Sequence, residues 1–417
     1  MWYSFRMNEM IKNKSPFYPG QPVPVELFSG RDALIRRIRQ RCVGQTGEGK
    51  PTALFVQGEY GIGKSSIAGI VQYLAEAEHS LHGIYATLGG AKTLEDVARC
   101  ILDASVRSGA FEPNRSERIR NLLARYIGKQ ELFGVSVNLE TIRTDAPQLT
   151  APSSLLDFLR GVLKQLADTE VKGILLILDE INGITSNADF AHFIKGLIDT
   201  NALSRTPLPL MLMLCGVEER RREMIDRHPP VDRIFDVVEV EAMTPSEMKE
   251  FFRKAFDSVK LMLDDNALDV LTHYSAGFPK IMHIVGDAAY WIDRDSRIDH
   301  SDALQAVLLA AEEVGKKYVD QQVYKALRSD DYRSILDRIA KMGPGQMNFT
   351  KAEVEKGLNE TQRGKLNNFL QKMKKLQVIR SGENRGEYVF NVRMVRLYIF
   401  LQSLRASKSS DSSRKAT

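Results

Sequence analysis

The run GEYGIGKSS, Gly58 to Ser66, gathers residue types suited to holding phosphate. Gly58, Gly61 and Gly63 allow backbone conformations that other residues adopt only at a cost, and they let main-chain N–H groups approach an anion closely. Glu59, Tyr60 and Ile62 fill the variable positions, and Lys64, Ser65 and Ser66 close the run. The pattern is G-x-x-x-x-G-K-[ST]. In that pattern the loop N–H groups and a helix N-terminus cradle phosphate oxygens, the lysine reaches the β- and γ-phosphates, and the hydroxyl after it ligates Mg²⁺. Such a loop must leave a strand and enter a helix. TALFVQ (Thr52 to Gln57) is an apolar run, and IAGIVQYLAEAE has helical composition and spacing, so both elements are predicted.

A second stretch completes the chemistry. In KGILLILDEING (Lys172 to Gly183) an unbroken apolar run, Ile174 to Leu178, ends in Asp179-Glu180. A run of that kind fits a central parallel strand buried on both faces. An acidic residue at its tip can hold Mg²⁺, here Asp179, and a second carboxylate, Glu180, can orient and deprotonate an attacking water. The competing reading is that acidic residues follow strands because loops are exposed. The phosphate loop upstream favours the chemical reading. No N-K-x-D or T-K-x-D guanine signature follows the strands, which favours ATP over GTP.

Composition narrows the remaining classes. At 417 residues the chain exceeds the usual single core, so two or three domains are expected. No run of about 18 apolar residues is present, and MWYSFRMNEMIKNK lacks the continuous apolar core of a signal peptide. Cys42, Cys100 and Cys215 show no metal or redox spacing, and the seven histidines form no H-x-x-x-H pair. A cytoplasmic, reducing location is therefore expected. The net charge of +5 is segregated: from Lys325 to Thr417 there are 20 Lys+Arg and 9 Asp+Glu, a local +11, which leaves −6 for the rest. That points to a basic C-terminal module.

In chain order, the proline-rich SPFYPGQPVPVELFSG predicts an extended segment on the surface of the next domain. RDALIRRIRQRC is a predicted helix, and residues 1–50 form the lead-in. Strands GIYATL, KGILLILDE, PLPLMLMLC and DVVEVEAM alternate with helices through residue 243. Residues 51–243 are thus an α/β core, a parallel sheet with helices on both faces. Inside it, TLEDVARCILDASVRS opens with a T-x-x-D cap, SERIRNLLARYI reads as a helix, and Phe133, Val135, Val137 and Leu139 alternate as in a hairpin. No function attaches to the 91–150 stretch. Thr244, Pro245 and Glu247 form a capping box that opens an all-helical region, 244–325, in which Tyr290 and Trp291 are expected in the core. Residues 326–405 read as three helices, a hairpin in IRSGENRGEYVF and a closing apolar helix. Residues 406–417 read as a disordered tail.

These residues together resemble the AAA+/STAND group of P-loop ATPases, and in particular the bacterial and archaeal ATPases related to origin-recognition proteins. The resemblance covers about residues 15–405. GEYGIGKS matches the Walker A element and LILDE the Walker B element. It implies a P-loop NTPase sheet followed by a helical lid and a winged-helix domain, with ATP and Mg²⁺ bound between core, lead-in and lid. PFYPGQPVPVELFSGRD resembles the segment that family members place against adenine, which makes Phe28, Gly30 and Arg31 candidates there. Gly277-Phe278-Pro279 resembles the G-x-P motif, so Pro279 and Lys280 fall where relatives keep a basic sensor. Arg233, before Phe235, matches the arginine that contacts the neighbouring subunit's γ-phosphate in ATP-bound homo-oligomers; an ordinary surface arginine is the competing reading. The family's strand after Walker B ends in a polar sensor residue. Here Cys215 and Gly216 stand in its place, which implies slow hydrolysis.

In the C-terminal module Lys365, Asn368, Lys372 and Lys375 make a polar stripe opposite Leu366, Phe369, Leu370, Met373 and Leu376. If the module is a winged helix, that helix enters the major groove of double-stranded DNA, and Arg380 and Arg385 touch phosphates. Many such modules instead pack on the lid or bind protein. Two functions therefore stand side by side: a DNA-associated ATPase of replication, transposition or mobile-element defence, and a signalling switch whose module binds a protein partner. No membrane partner is expected.

Overall fold

The computed structural model describes residues 12, 14–21, 23–108, 131–132, 135–136, 152–342, 346–382 and 384–414. The chain divides into two compact units, Pro22–Glu241 and Met1–Gln21 with Ala242–Thr417.

The first unit is built on a five-stranded parallel sheet. Its strands are β1 (Thr52–Gln57), β2 (Leu81–Thr87), β3 (Gly173–Asp179), β4 (Leu210–Gly216) and β5 (Asp236–Glu239), in the order β2-β3-β4-β1-β5. The apolar runs become the central strands because both faces are covered. Phe55, Ile174, Leu176, Leu212 and Leu214 share a core with residues of α3 (Leu94–Arg107), α4 (Pro152–Gln165) and α5 (Ala188–Ala202). The alternate residues Leu54, Leu175, Ile177, Met211 and Met213 are equally buried on the face that α2 (Lys64–Glu78) covers. This is the α/β fold of a P-loop NTPase. The helix predicted near Arg31 is α1 (Asp32–Ile38), which continues through a π-turn at Arg39–Val43. A further helix, α6 (Glu218–Arg227), follows β4. The Thr93–Asp96 capping box forms as its spacing predicts.

Two expectations in this unit need adjustment. The strand read over Asp236 to Met243 stops at Glu239; Val240 N–H still donates to Gln57 O, but the chain then leaves the sheet. In the 91–150 stretch the backbone pairs Glu131–Leu132 with Val135–Ser136 antiparallel. SERIRNLLARYI and Phe133, Val137 and Leu139 lie outside the described residues.

The second unit holds α7 (Pro245–Ser258), α8 (Asp265–Ser275), α9 (Pro279–Ile292) and α10 (His300–Val314), capped at Thr244–Glu247 as predicted. It is not wholly helical: Met262–Leu263 pairs in parallel with Arg297–Ile298. Tyr290 is buried as expected, whereas Trp291 is 53% exposed. The lead-in also departs from expectation. Phe17, read as part of a surface segment, is buried against Phe251, Phe252 and Phe256 of this helical unit. Proline sets the extended backbone but not which surface it follows.

From Asp330 the order is α11 (Asp330–Ala340), β6 (Asn348–Thr350), α12 (Lys351–Glu355), α13 (Glu360–Lys375), β7 (Ile379–Ser381), β8 (Glu387–Phe390) and α14 (Arg393–Arg414). The strands form an antiparallel sheet in the order β6-β8-β7. The sequence pattern anticipates β7 and β8 but not β6, a three-residue edge strand too short to show periodicity. α14 serves two cores at once. Met394 and Leu397 join the α7–α10 core, and Val395, Tyr398 and Ile399 join the core of α11 and α13. Its backbone stays helical through Arg414, where the sequence reading has disorder from 406; the helix nucleated in the apolar stretch continues into a serine-rich end of low helix propensity.

Arg396 is buried at the centre of this module. Its Nη2 donates to Ile339 O and Ala340 O, 3.0 and 3.1 Å away, at the C-terminus of α11. Desolvation lowers its pKa to about 10. Arg396→Ala strips both carbonyls of a buried donor, so a loss of about 2–3 kcal/mol is expected, read as a lower urea midpoint for the second unit.

Candidate nucleotide site

The phosphate loop leaves β1 at the C-terminal rim of the sheet and enters α2. Gly61 (φ +79°) and Gly63 (φ +98°) take left-handed conformations that a side chain would strain, so the motif glycines are required by the turn itself. Ile62 is buried and ties the loop to the core, while Tyr60 is 66% exposed. Gly58 is fixed by crowding: a Cβ there would lie 2.8 Å from Val240 O. Gly63 caps α2, whose N-terminal N–H groups face the loop as an anion site requires.

Lys64 Nζ donates to the loop's own carbonyls, Gly58 O at 2.9 Å and Glu59 O at 2.8 Å. Burial lowers its pKa, with the Asp179 carboxylate opposing. Asp179 ends β3 and is 4% exposed. Its Oδ2 accepts from Ser65 Oγ at 2.6 Å and from Tyr85 OH at 2.6 Å, and its Oδ1 accepts from the Glu180 N–H at 2.8 Å. Glu180 follows at φ +56°, a strained conformation for glutamate of the kind that recurs at functional positions. It is exposed, and its carboxylate lies over Gly89: a Cβ at Gly89 would come within 2.5 Å of Oε2.

Ser65 and Asp179 supply two hard oxygen donors within hydrogen-bond reach of each other. Mg²⁺ uses one or two protein oxygens together with substrate phosphates and water, so this donor set fits it. Among the described residues no group of three or more His, Cys, Asp or Glu could hold a metal ion.

Cys215, at the end of β4, is fully buried, and its neighbour Gly216 pairs in register with Gln57. Burial first, and then Asp179, push the thiol well above its ordinary pKa. It is a neutral, weak donor.

The lead-in packs on the same unit. Val25–Leu27 lies against α2, and Ser66 Oγ accepts from Val23 N–H at 3.4 Å. Gly30 (φ +78°) and Arg31 (φ +65°) turn the chain into α1, and Arg31 Nη2 donates to Glu241 O at 3.1 Å. Phe28 immediately precedes this turn.

Arg233 is exposed within Pro229–Ile234, just before β5. Asp236 pairs with Leu54 in parallel register, so Arg233 lies at the N-terminal rim of the sheet, while the phosphate loop follows Gln57 at the other rim. From Leu54 to Gln57 is about 10 Å of strand, and Arg233 stands three residues before Asp236.

Pro279 and Lys280 open α9 in the second unit. Gly277 before them (φ +82°) is pressed against Ala242 and Met243, and its carbonyl accepts from Met243 N–H at 2.9 Å. On α13, Lys365 pairs with Asp331, and Lys372 donates to Ala326 O and sits over the Tyr332 ring. Asn368 and Lys375 are exposed, as are Arg380 and Arg385. The lysine stripe is therefore partly engaged within its own module.

Sequence reasoning missed Tyr85. It lies on β2, and only the adjacency of β2 and β3 brings its hydroxyl to Asp179. No local pattern marks it.

This loop, carboxylate pair and strand order are those of a P-loop NTPase fold. Residues 27–213 match the family model of the AAA ATPase domain. Two solved structures extend the likeness along the chain. A Walker-type ATPase of Pyrococcus abyssi is 19% identical, with a TM-score of 0.55, over 89% of this chain and 96% of that one. The ORC2 protein of Aeropyrum pernix, solved as ADPNP–ADP complexes, is 13% identical, with a TM-score of 0.58, over 94% of this chain and 97% of that one. Both likenesses are of fold, along nearly the whole chain. No curated protein matches the sequence significantly. Among the described residues no helix is long and apolar enough to cross a membrane.

Proposed function

We propose that the protein is an ATP-binding, slowly hydrolysing AAA+ ATPase whose nucleotide state controls its basic C-terminal module, and that this module is a DNA-associated winged helix. The observation that carries the ATPase reading is the meeting of Lys64, Ser65, Asp179 and Glu180 at one rim of the parallel sheet. Lys64 leaves the loop carbonyls for the β- and γ-phosphates. Ser65 and Asp179 hold Mg²⁺, which supplies charge neutralisation on the phosphates. Glu180 takes the proton of the attacking water. Phe28, Gly30 and Arg31 border the adenine. Hydrolysis is slow because buried Cys215 offers the γ-phosphate only a weak donor. The placement of Arg233 at the far rim favours action on a neighbouring copy in an ATP-bound homo-oligomer. The ADPNP–ADP complexes of the similar ORC2 protein lend weight to adenine nucleotide as ligand.

The order α11-β6-α12-α13-β7-β8 and the local +11 charge support a winged helix on DNA, with Asn368, Lys375, Arg380 and Arg385 at the interface. A second reading rests on a specific observation. Lys365 and Lys372 are held by Asp331 and Ala326 O, which reduces the cationic face and favours a protein partner.

ATP turnover at low salt, with and without duplex DNA and with Lys64→Ala as the blank, tests both readings. Stimulation by DNA that fades between 50 and 200 mM salt is expected on the first reading, because each phosphate contact releases counterions. Turnover indifferent to DNA moves the module to a protein partner, and turnover equal to the Lys64→Ala blank removes the ATPase reading.

A further inference from the structure

Resting on the Mg²⁺–nucleotide reading above, we propose that Tyr85 is a positioning residue for the metal: its hydroxyl holds the Asp179 carboxylate in the orientation that receives Mg²⁺. The hydroxyls of Ser65 and Tyr85 both donate to Asp179 Oδ2, and the Glu180 N–H donates to Oδ1. The carboxylate is thus fixed at both oxygens before a metal arrives.

The two hydroxyls have different fates. If Ser65 Oγ becomes a metal ligand, a lone pair turns to the cation, and the direction in which its O–H donates is then set by the metal. Tyr85 is on the neighbouring strand β2, where Thr87 pairs with Asp179 and Tyr85 with Ile177. It reaches Oδ2 from the side of β2 rather than from the phosphate loop, so it can keep donating while the metal binds. Outer-shell donors of this kind orient a ligating carboxylate, and their removal typically costs about 10–100-fold in metal affinity or activity. Asp179 without Tyr85 keeps the Glu180 N–H at Oδ1 and the Ser65 hydroxyl at Oδ2, but loses the one Oδ2 donor that comes from the sheet rather than from the phosphate loop.

The test is nucleotide binding, followed with a fluorescent ATP analogue during Mg²⁺ titration of the full chain, wild type against Tyr85→Phe. Affinity in EDTA reports the loop and Lys64 without metal, and shows that the variant is folded. The expected result is equal affinity in EDTA, with the Mg²⁺ midpoint of Tyr85→Phe raised about 10–100-fold. Superimposable Mg²⁺ titrations, with a metal-dependent wild type, overturn the role of Tyr85 and leave the nucleotide site standing. Equal loss of affinity with and without Mg²⁺ assigns Tyr85 to general packing and also overturns it. A wild type that binds no nucleotide in either condition overturns the nucleotide reading and this proposal together.

Discussion

Glu180→Gln is expected to lower ATP turnover by about 10²–10⁴-fold while ATP binding persists. The carboxylate is exposed, and it stands one residue beyond the carboxylate that faces Ser65. That division gives the two acids separate tasks: Asp179 is buried and fully hydrogen-bonded, whereas Glu180 is free to meet a water. The amide of glutamine keeps the size and the left-handed turn but cannot take a proton. The phosphate loop, Lys64 and Ser65 are untouched, so nucleotide affinity should hold. Initial rates of phosphate release, paired with equilibrium binding of a fluorescent nucleotide, separate the two effects. Unchanged turnover in Glu180→Gln would remove Glu180 as the base. Loss of binding along with turnover would instead give it a structural role at the end of β3.

The second large effect is expected far from the chemistry. Phe17→Ala should destabilise the helical unit by about 3–5 kcal/mol, the usual cost of deleting a buried aromatic ring. Phe17 is 4% exposed, and its ring contacts Phe251, Phe252, Phe256 and His283. Gly286 makes room for it, since a Cβ there would fall within 2.3 Å of the ring. The flanking chain is also tied down: Lys12 pairs with the buried carboxylate of Asp293, and Tyr18 N–H donates to His283 Nδ1 at 3.1 Å. Two compact units need not unfold in one step, so the useful measurement is a denaturant titration in which the transition of the helical unit is followed separately. The midpoint of that transition should fall sharply. A shift worth less than about 1 kcal/mol would mean that the ring is not part of the core.

The phosphate loop was legible because its function is local. Gly61, Gly63, Lys64 and Ser65 are contiguous, and the conformations and atoms they supply follow from residue type. β3 and its acidic tip were legible because a strand covered on both faces needs an uninterrupted apolar run. The capping boxes at Thr93 and Thr244 were legible for the same local reason. Strand β6 and the Met262–Leu263 pairing were not, because two or three residues cannot display a period. The lysine stripe on α13 was read correctly as one side of a helix, yet the neighbours of that side were invisible: Asp331 and Tyr332 come from α11.

The sequence by itself therefore determined the P-loop fold of the first unit, the order of its central strands along the chain, and the positions of the phosphate loop and the acidic pair at the ends of β1 and β3. Each of these depends on residues close together in the chain. Only the tertiary structure decided that β2 lies beside β3, which brings Tyr85 to Asp179, that Arg233 stands at the opposite rim from its own phosphate loop, and that Phe17 belongs to the helical core. Those facts depend on which distant segments meet, and that choice is made by burial summed over the whole fold, which no single stretch of sequence displays.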